Sequence, residues 1–215
     1  MKTTWTQKHI LIVLFITSIP IGSSIAQDNR GMSDRESIDK MRDIEQQPGK
    51  VMDVIKLKSG MIVGEAGASY GYFTFNLSKR VGESGLVFAN DIDTAALQEI
   101  KMRCKSEKIT NIRTVLGAVD DPLFPVKNLD MVVVFDCLFE FAHPAKWMQN
   151  TRKYLKPDGK LVIVDPDPSK RKSDDFLSRK QIHDFAFESG YSLIEADDSF
   201  LRSQMIIVLH PNLLK

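Results

Sequence analysis

Along most of the chain, short apolar runs alternate with stretches in which apolar residues recur every three or four positions. Met61-Ile62-Val63-Gly64-Glu65 is a run of the first kind and opens into a glycine-containing turn. Residues 72–81 are of the second kind, a helix stopped by Gly82 and Gly85. The same reading predicts a short amphipathic helix over 50–57 and longer ones over 93–108, 144–155 and 178–188. Strands are predicted over 86–90, 112–116, 130–135, 160–164, 191–196 and 204–209. Met131-Val132-Val133-Val134 is apolar on successive residues, as suits a strand covered on both faces. Lys156-Pro157-Asp158-Gly159 supplies a turn after the third long helix. Strands alternating with helices predict an α/β domain with a doubly wound, mostly parallel seven-stranded sheet. The link between the last two strands has no room for a helix, so they form a C-terminal antiparallel pair.

The first residues break this rhythm. Lys2 and Lys8 precede the apolar run Ile10-Leu11-Ile12-Val13-Leu14-Phe15-Ile16, and a softer stretch ends in Ser24-Ile25-Ala26. A positive start, an apolar core and small residues before a cleavage point describe a secretory signal over 1–26. Thr17, Ser18, Pro20 and Gly22 interrupt the apolarity, which makes a poor spanning helix. The expectation is an exported chain, periplasmic or secreted, without stable membrane insertion once the signal is removed; an uncleaved membrane anchor is the alternative. Residues 27–48 are a polar segment, a tether or short helix, and 49–215 form the domain.

Composition narrows the function classes. With 43% hydrophobic and 27% charged residues, the chain is an ordinary folded one. The net charge of +1 provides no broad basic field, so a nucleic-acid partner is not expected. Cys104 and Cys137 lack framework spacing and read as separate thiols. No His, Cys or carboxylate cluster has metal-ligand spacing, and no metal is predicted.

In an open α/β sheet the ligand crevice lies beyond the carboxyl ends of the strands, where strand order reverses. The first strand leads into Glu65-Ala66-Gly67-Ala68-Ser69-Tyr70-Gly71, small residues that let backbone N–H groups approach a ligand ahead of a helix. The second strand ends at Asp91, where a carboxylate can accept from both hydroxyls of a ribose. Together they point to a nucleoside-containing ligand.

Gly60 to Phe73 resembles the first motif of class I S-adenosylmethionine-dependent methyltransferases. Gly85 to Asp93 is similar to the family's second strand with its ribose-binding acid. Asp120-Asp121-Pro122-Leu123-Phe124-Pro125 resembles the loop beside adenine, Leu129 to Asp136 the fourth strand, and Leu155 to Val164 the following turn and strand. The likeness runs from Gln47 to Leu209 with the motifs in order. It implies S-adenosyl-L-methionine as cofactor and methyl transfer to an unidentified, small-molecule acceptor. It assigns Gly67, Ser69 and Gly71 to the methionine and ribose side, with Glu65 bracing that loop. Asp91 would bind ribose, Ile92 would pack on adenine and Asp121 would sit at the adenine edge. Asp136 would face the methionine end or the acceptor, and Glu140 and His143 would lie toward the acceptor. Ser69 stands where the middle glycine is usual, Ala118 where relatives often have an acid, and Leu138-Phe139 where one group has Tyr-His.

Three other readings compete. Missing polar groups at Leu138 and Phe139 suit a non-catalytic binding module on the same fold. Gly67-Ala68-Ser69-Tyr70-Gly71 matches the nucleophile elbow of serine hydrolases, with Ser69 as nucleophile and Asp165 followed by His183 or His210 as partners. Against it, a hydrolase has several strands ahead of its elbow, whereas here none is visible before the one that leads into the turn, and no glycine-rich oxyanion segment lies upstream. A nicotinamide enzyme would place its third glycine at Tyr72, where an aromatic ring is ill suited. The cluster Lys170-Arg171-Lys172 reads as a solvated loop.

Overall fold

Six strands that run the same way and one antiparallel insertion make up the sheet, in the order β3-β2-β1-β4-β5-β7-β6. The computed structural model describes residues 35, 37–194 and 196–212; the signal expected over 1–26 lies outside them. The strands are β1 (Ile62–Ala66), β2 (Leu86–Asp91), β3 (Ile112–Leu116), β4 (Leu129–Phe135), β5 (Leu155–Pro166), β6 (Tyr191–Ile194) and β7 (Gln204–Pro211). β7 runs antiparallel to both β5 and β6. The chain winds outward from β1 through β2 to β3, then returns to the other side of β1 with β4 and β5. Strand order therefore reverses between β1 and β4, and the crevice opens at their carboxyl ends.

The helices are α1 (37–46), α2 (Pro48–Val54), α3 (Tyr72–Val81), α4 (Thr94–Ser106), α5 (Pro144–Thr151), α6 (Pro168–Arg171) and α7 (Arg179–Glu188). Alternate residues of β4 face opposite layers: Met131, Val133 and Phe135 pack with α2 and α3, while Val132 and Val134 pack with α5 and α7. This two-sided burial is why the strand reads as an unbroken apolar run. Asp93 caps α4 by accepting from the Ala95 N–H at 2.7 Å, and Ser178 with Gln181 forms a capping box on α7.

Two expectations are refined. The turn at residues 156–159 sits inside β5, as an excursion between the pairings Leu129 with Leu155 and Met131 with Lys160. Gly159 is required there, because a Cβ would lie 2.8 Å from the Leu129 carbonyl oxygen. The compact unit begins at Asp39, so the end of the polar segment is its first helix. Both cysteines are free thiols. Among the described residues no helix is long and apolar enough to cross a membrane, and no group of acidic, histidine or cysteine side chains could hold a metal ion.

Candidate functional site

The turn from β1 to α3 is built on left-handed backbone at Gly67, Ser69 and Gly71, with φ of 72°, 46° and 88°. At Gly67 the absence of a side chain is also a packing need, since a Cβ there would overlap the Sγ of Cys137. The Ala68 N–H donates to the Asn90 carbonyl at 2.9 Å, and the Ser69 N–H donates to Asp91 Oδ2 at 2.7 Å. The other oxygen of Asp91 accepts from the Asp93 N–H at 2.9 Å. The expected glycine turn and the expected acid are thus joined in one unit. The buried Asn90 fastens the neighbouring loop, its amide donating to the carbonyls of Val115 and Pro122 at 3.1 and 2.7 Å.

Around Asp91 the strand ends present apolar surface to solvent. Ile92 is 62% exposed, Leu116 53%, Val119 53% and Leu123 50%, and Leu116 is the register partner of Asp91. Isolated exposed apolar residues are ordinary, but several at adjoining strand ends beside a carboxylate mark a ligand groove. A flat base against the apolar residues, a ribose at Asp91 and a chain along the turn suit this donor and acceptor set. The residues present fit an adenosyl cofactor.

Beneath the turn, Glu65 is buried and accepts a hydrogen bond from the Thr74 hydroxyl on α3. Burial pushes its carboxyl up to about 8, the Thr74 hydrogen bond opposing the shift. Glu65 therefore braces the turn from below, its burial favouring the neutral acid.

On the far side of the crevice, Asp136 follows β4 with φ 63°. Its Oδ2 accepts from Gln46 Nε2 at 3.1 Å and lies 3.8 Å from the Arg42 guanidinium; its Oδ1 accepts from Gln204 Nε2 at 3.2 Å. Helix α1 is further pinned by the Tyr72 hydroxyl, which donates to Asp43 at 2.9 Å, and by Arg42 stacked over the Tyr72 ring. Next to Asp136, the buried Asp165 accepts from the backbone N–H groups of Cys137, Leu138 and Phe139 at 2.9, 3.2 and 3.2 Å. It holds the short 3-10 turn Leu138–Glu140 against the end of β5. Burial raises the Asp165 carboxyl to about 7, with those N–H groups pulling the other way. Glu140 is exposed on this turn, and Phe139 meets Phe176 edge to face at 4.9 Å.

Several expected residues have other occupations. Asp121 accepts from Lys153, from the Tyr154 hydroxyl at 2.6 Å and from the Leu123 N–H at 3.0 Å. Desolvation raises its carboxyl, but these partners hold it below its usual value. Its carboxylate anchors the loop. His143 pairs with Asp120 at 2.7 Å rather than facing the crevice alone. Lys170 donates to the carbonyls of Leu201 and Gln204 at 3.3 and 2.8 Å, so it is a clamp and not a solvated loop residue.

A serine-hydrolase triad through Asp165 and His210 does not fit this topology. Asp165 spends its carboxylate on backbone N–H groups, and His210 lies toward the carboxyl end of the antiparallel β7, whose Leu209 pairs with Leu161 near the start of β5's continuous run. That is the opposite edge of the sheet from Ser69. Gln46, Arg42, Gln204, Asp165 and Thr74 had no signal of their own in the sequence, except that Asp165 ends a strand as Asp91 does.

Comparison with known proteins agrees with this geometry. A family model described as a methyltransferase domain matches residues 57–198. A ubiquinone/menaquinone biosynthesis C-methyltransferase, UbiE, of Vibrio vulnificus is 25% identical over 115 residues, 53% of this chain and 44% of that protein. The chain thus spans less than half the length of that curated relative. Among solved structures, a SAM-dependent methyltransferase from Aquifex aeolicus superposes with a TM-score of 0.70 at 21% identity, covering 82% of this chain and 96% of that one. The [4+2]-cyclase SpnF superposes at 0.67 with 9% identity, covering 79% and 81%. These structural likenesses show the fold, seven strands with the antiparallel pair at one end. The family match spans well over half of the chain, and the protein belongs to the methyltransferase domain family.

Proposed function

We propose that the protein binds S-adenosyl-L-methionine and transfers its methyl group to a small-molecule acceptor. The observation that carries the reading is the hydrogen bond from the Ser69 N–H to Asp91, which makes the turn and the ribose-type acid a single site. When bound, the cofactor supplies a methyl group already activated on a sulfonium, so the protein's task is alignment and exclusion of water. Gly67, Ser69 and Gly71 bring backbone close to the amino-acid chain, Asp91 holds the ribose and Ile92 covers the base. Helix α1 closes the crevice above Asp136 through Gln46 and Arg42. Glu140 lies toward the acceptor side and takes a proton only if the nucleophile carries one. Quinone biosynthesis is the role of the Vibrio relative; for this chain the acceptor is defined only as small.

Calorimetry with S-adenosylmethionine, S-adenosylhomocysteine and NAD tests the site: both adenosyl ligands bind, NAD does not, and Asp91→Ala weakens both. A second reading, a binding module without transfer, draws on Leu138 and Phe139, which bring no polar side chain to the turn above Asp165. Labelled-methyl transfer to a metabolite pool decides between them, and binding without incorporation favours the module.

The export reading stays part of the proposal, supported by Lys2, Lys8 and the apolar run ahead of Ala26. N-terminal sequencing of the protein from an extracytoplasmic fraction gives Gln27 first if it holds; an intact Met1 there rejects cleavage.

A further inference from the structure

Two oxygen acceptors meet at the end of β4. Asp136 follows that strand directly, and Gln204 opens β7 opposite Pro166 at the end of β5, so both stand on the crevice edge of the sheet. The Gln204 side chain has one chemically sensible orientation: its NH2 faces the Asp136 carboxylate at 3.2 Å, because a carbonyl oxygen there would meet another acceptor. Its carbonyl oxygen is then left over. Gln204 is 1% exposed, and this buried oxygen accepts from no described residue. A buried amide oxygen without a donor is uncommon in folded proteins and calls for a partner. The donors on the other side of Asp136 come from α1, Gln46 at 3.1 Å and Arg42 at 3.8 Å, both long for charge-assisted contacts.

We infer that Asp136 and Gln204 form the acceptor subsite, which receives a hydroxyl or ammonium group of the methyl acceptor, with Gln46 and Arg42 occupying Asp136 until that group arrives. The inference rests on the methyltransferase reading above and names the chemistry its acceptor brings. With the Gln204 NH2 held by Asp136, the groups left open once the α1 donors leave are oxygen acceptors, which selects a donor-bearing molecule over a donor-free one of equal shape. The aromatic pair Phe139 and Phe176, on the turn that follows Asp136 and the loop before α7, provides an apolar wall for the remainder of the molecule.

The test uses the full chain saturated with S-adenosylhomocysteine and three near-isosteric probes: benzyl alcohol, benzylamine and ethylbenzene. Dissociation constants come from chemical-shift titrations. The wild-type chain binds the two donor-bearing probes about tenfold tighter than ethylbenzene, the scale of one buried hydrogen bond. Gln204→Leu brings the three within about twofold. Gln204→Glu shifts preference from benzyl alcohol to benzylamine, a change of selectivity that a structural role alone would not produce. Gln46→Ala, which removes a resident donor, tightens both donor-bearing probes. Equal binding of the three probes, or none, overturns the inference, as does a preference that survives Gln204→Leu. Weaker S-adenosylhomocysteine binding in Gln204→Leu also overturns it, by assigning the cradle to the cofactor's own ammonium. Failure of the wild-type chain to bind S-adenosylhomocysteine is a separate result, which removes the cofactor reading itself.

Discussion

The backbone N–H of Ser69 and the carboxylate of Asp91 are 2.7 Å apart, although all of α3 lies between them in the chain. The contact ties the exits of two neighbouring parallel strands and places a partly open carboxylate where a sugar would lie. Because the N–H needs an acceptor, Asp91 has a structural duty as well as a binding one.

Asp91→Ala is therefore expected to cost affinity for S-adenosylhomocysteine by about 100-fold, through lost hydrogen bonds and a turn no longer held. Asp91→Asn keeps one acceptor oxygen and falls by about tenfold. Isothermal calorimetry checks both, and an unchanged affinity in the alanine variant would remove Asp91 from the site.

Stability should fall as pH rises, because the two buried acids shift in the same direction. Glu65 rises from 4.5 to about 8 and Asp165 from 3.8 to about 7 on burial. The folded state binds protons more tightly at these groups than the unfolded state does. Their contribution is complete below the unfolded values and disappears as pH climbs through 7 and 8. Glu65→Gln keeps a partner for Thr74 without the ionisation, so at pH 9 it gains on the order of 3 kcal/mol relative to wild type, and little at pH 5. Urea denaturation across pH 5 to 9 measures the difference; parallel curves for the two proteins would contradict it.

At Gly67 backbone and packing demands coincide. Gly67→Ala places a methyl group against Cys137 Sγ at a φ of 72°, with an expected cost of about 3 kcal/mol from strain and overlap. Cys137→Ala relieves the overlap but not the φ, so the double variant recovers only part of the loss. A double-mutant cycle reads the coupling, and full additivity would show that the two sites do not touch.

Removing the Asp165 carboxylate strands three backbone N–H groups at once. Asp165→Ala is expected to lose about 3 kcal/mol at pH 8, and Asp165→Asn about 1 kcal/mol, since its amide oxygen still serves some of them. Hydrogen exchange at Leu138 and Phe139 should accelerate in the alanine variant well beyond the global change.

What could be read in the sequence follows the physics that is local. The strand at 112–116 and the helix at 72–81 are visible because periodicity and glycine stops act within a few residues. The glycine turn and Asp91 were visible because both sit at strand ends, a place the fold class prescribes. The partners of Asp121 are not legible, since one carboxylate in a loop looks like another until Lys153 and Tyr154 are seen beside it. Gln46 and Gln204 could not be read at all. Each is an unremarkable amide in its own neighbourhood and gains meaning only where the two ends of the domain meet at Asp136. The polar stretch ahead of Pro48 reads as a tether or a short helix, and the contacts that decide for the helix, with Tyr72 and Asp136, are far away in sequence.

The position of β7 has a consequence for how the molecule is made. It comes last in chain order among the seven strands, yet it must insert between β5 and β6, which precede it. Until residues 204–211 arrive, β5 keeps an unsatisfied edge and Asp136 lacks Gln204, so a nascent chain can assemble the nucleoside half of the crevice well before the other half exists. Completion of the sheet and completion of this side of the crevice are one event, the insertion of β7.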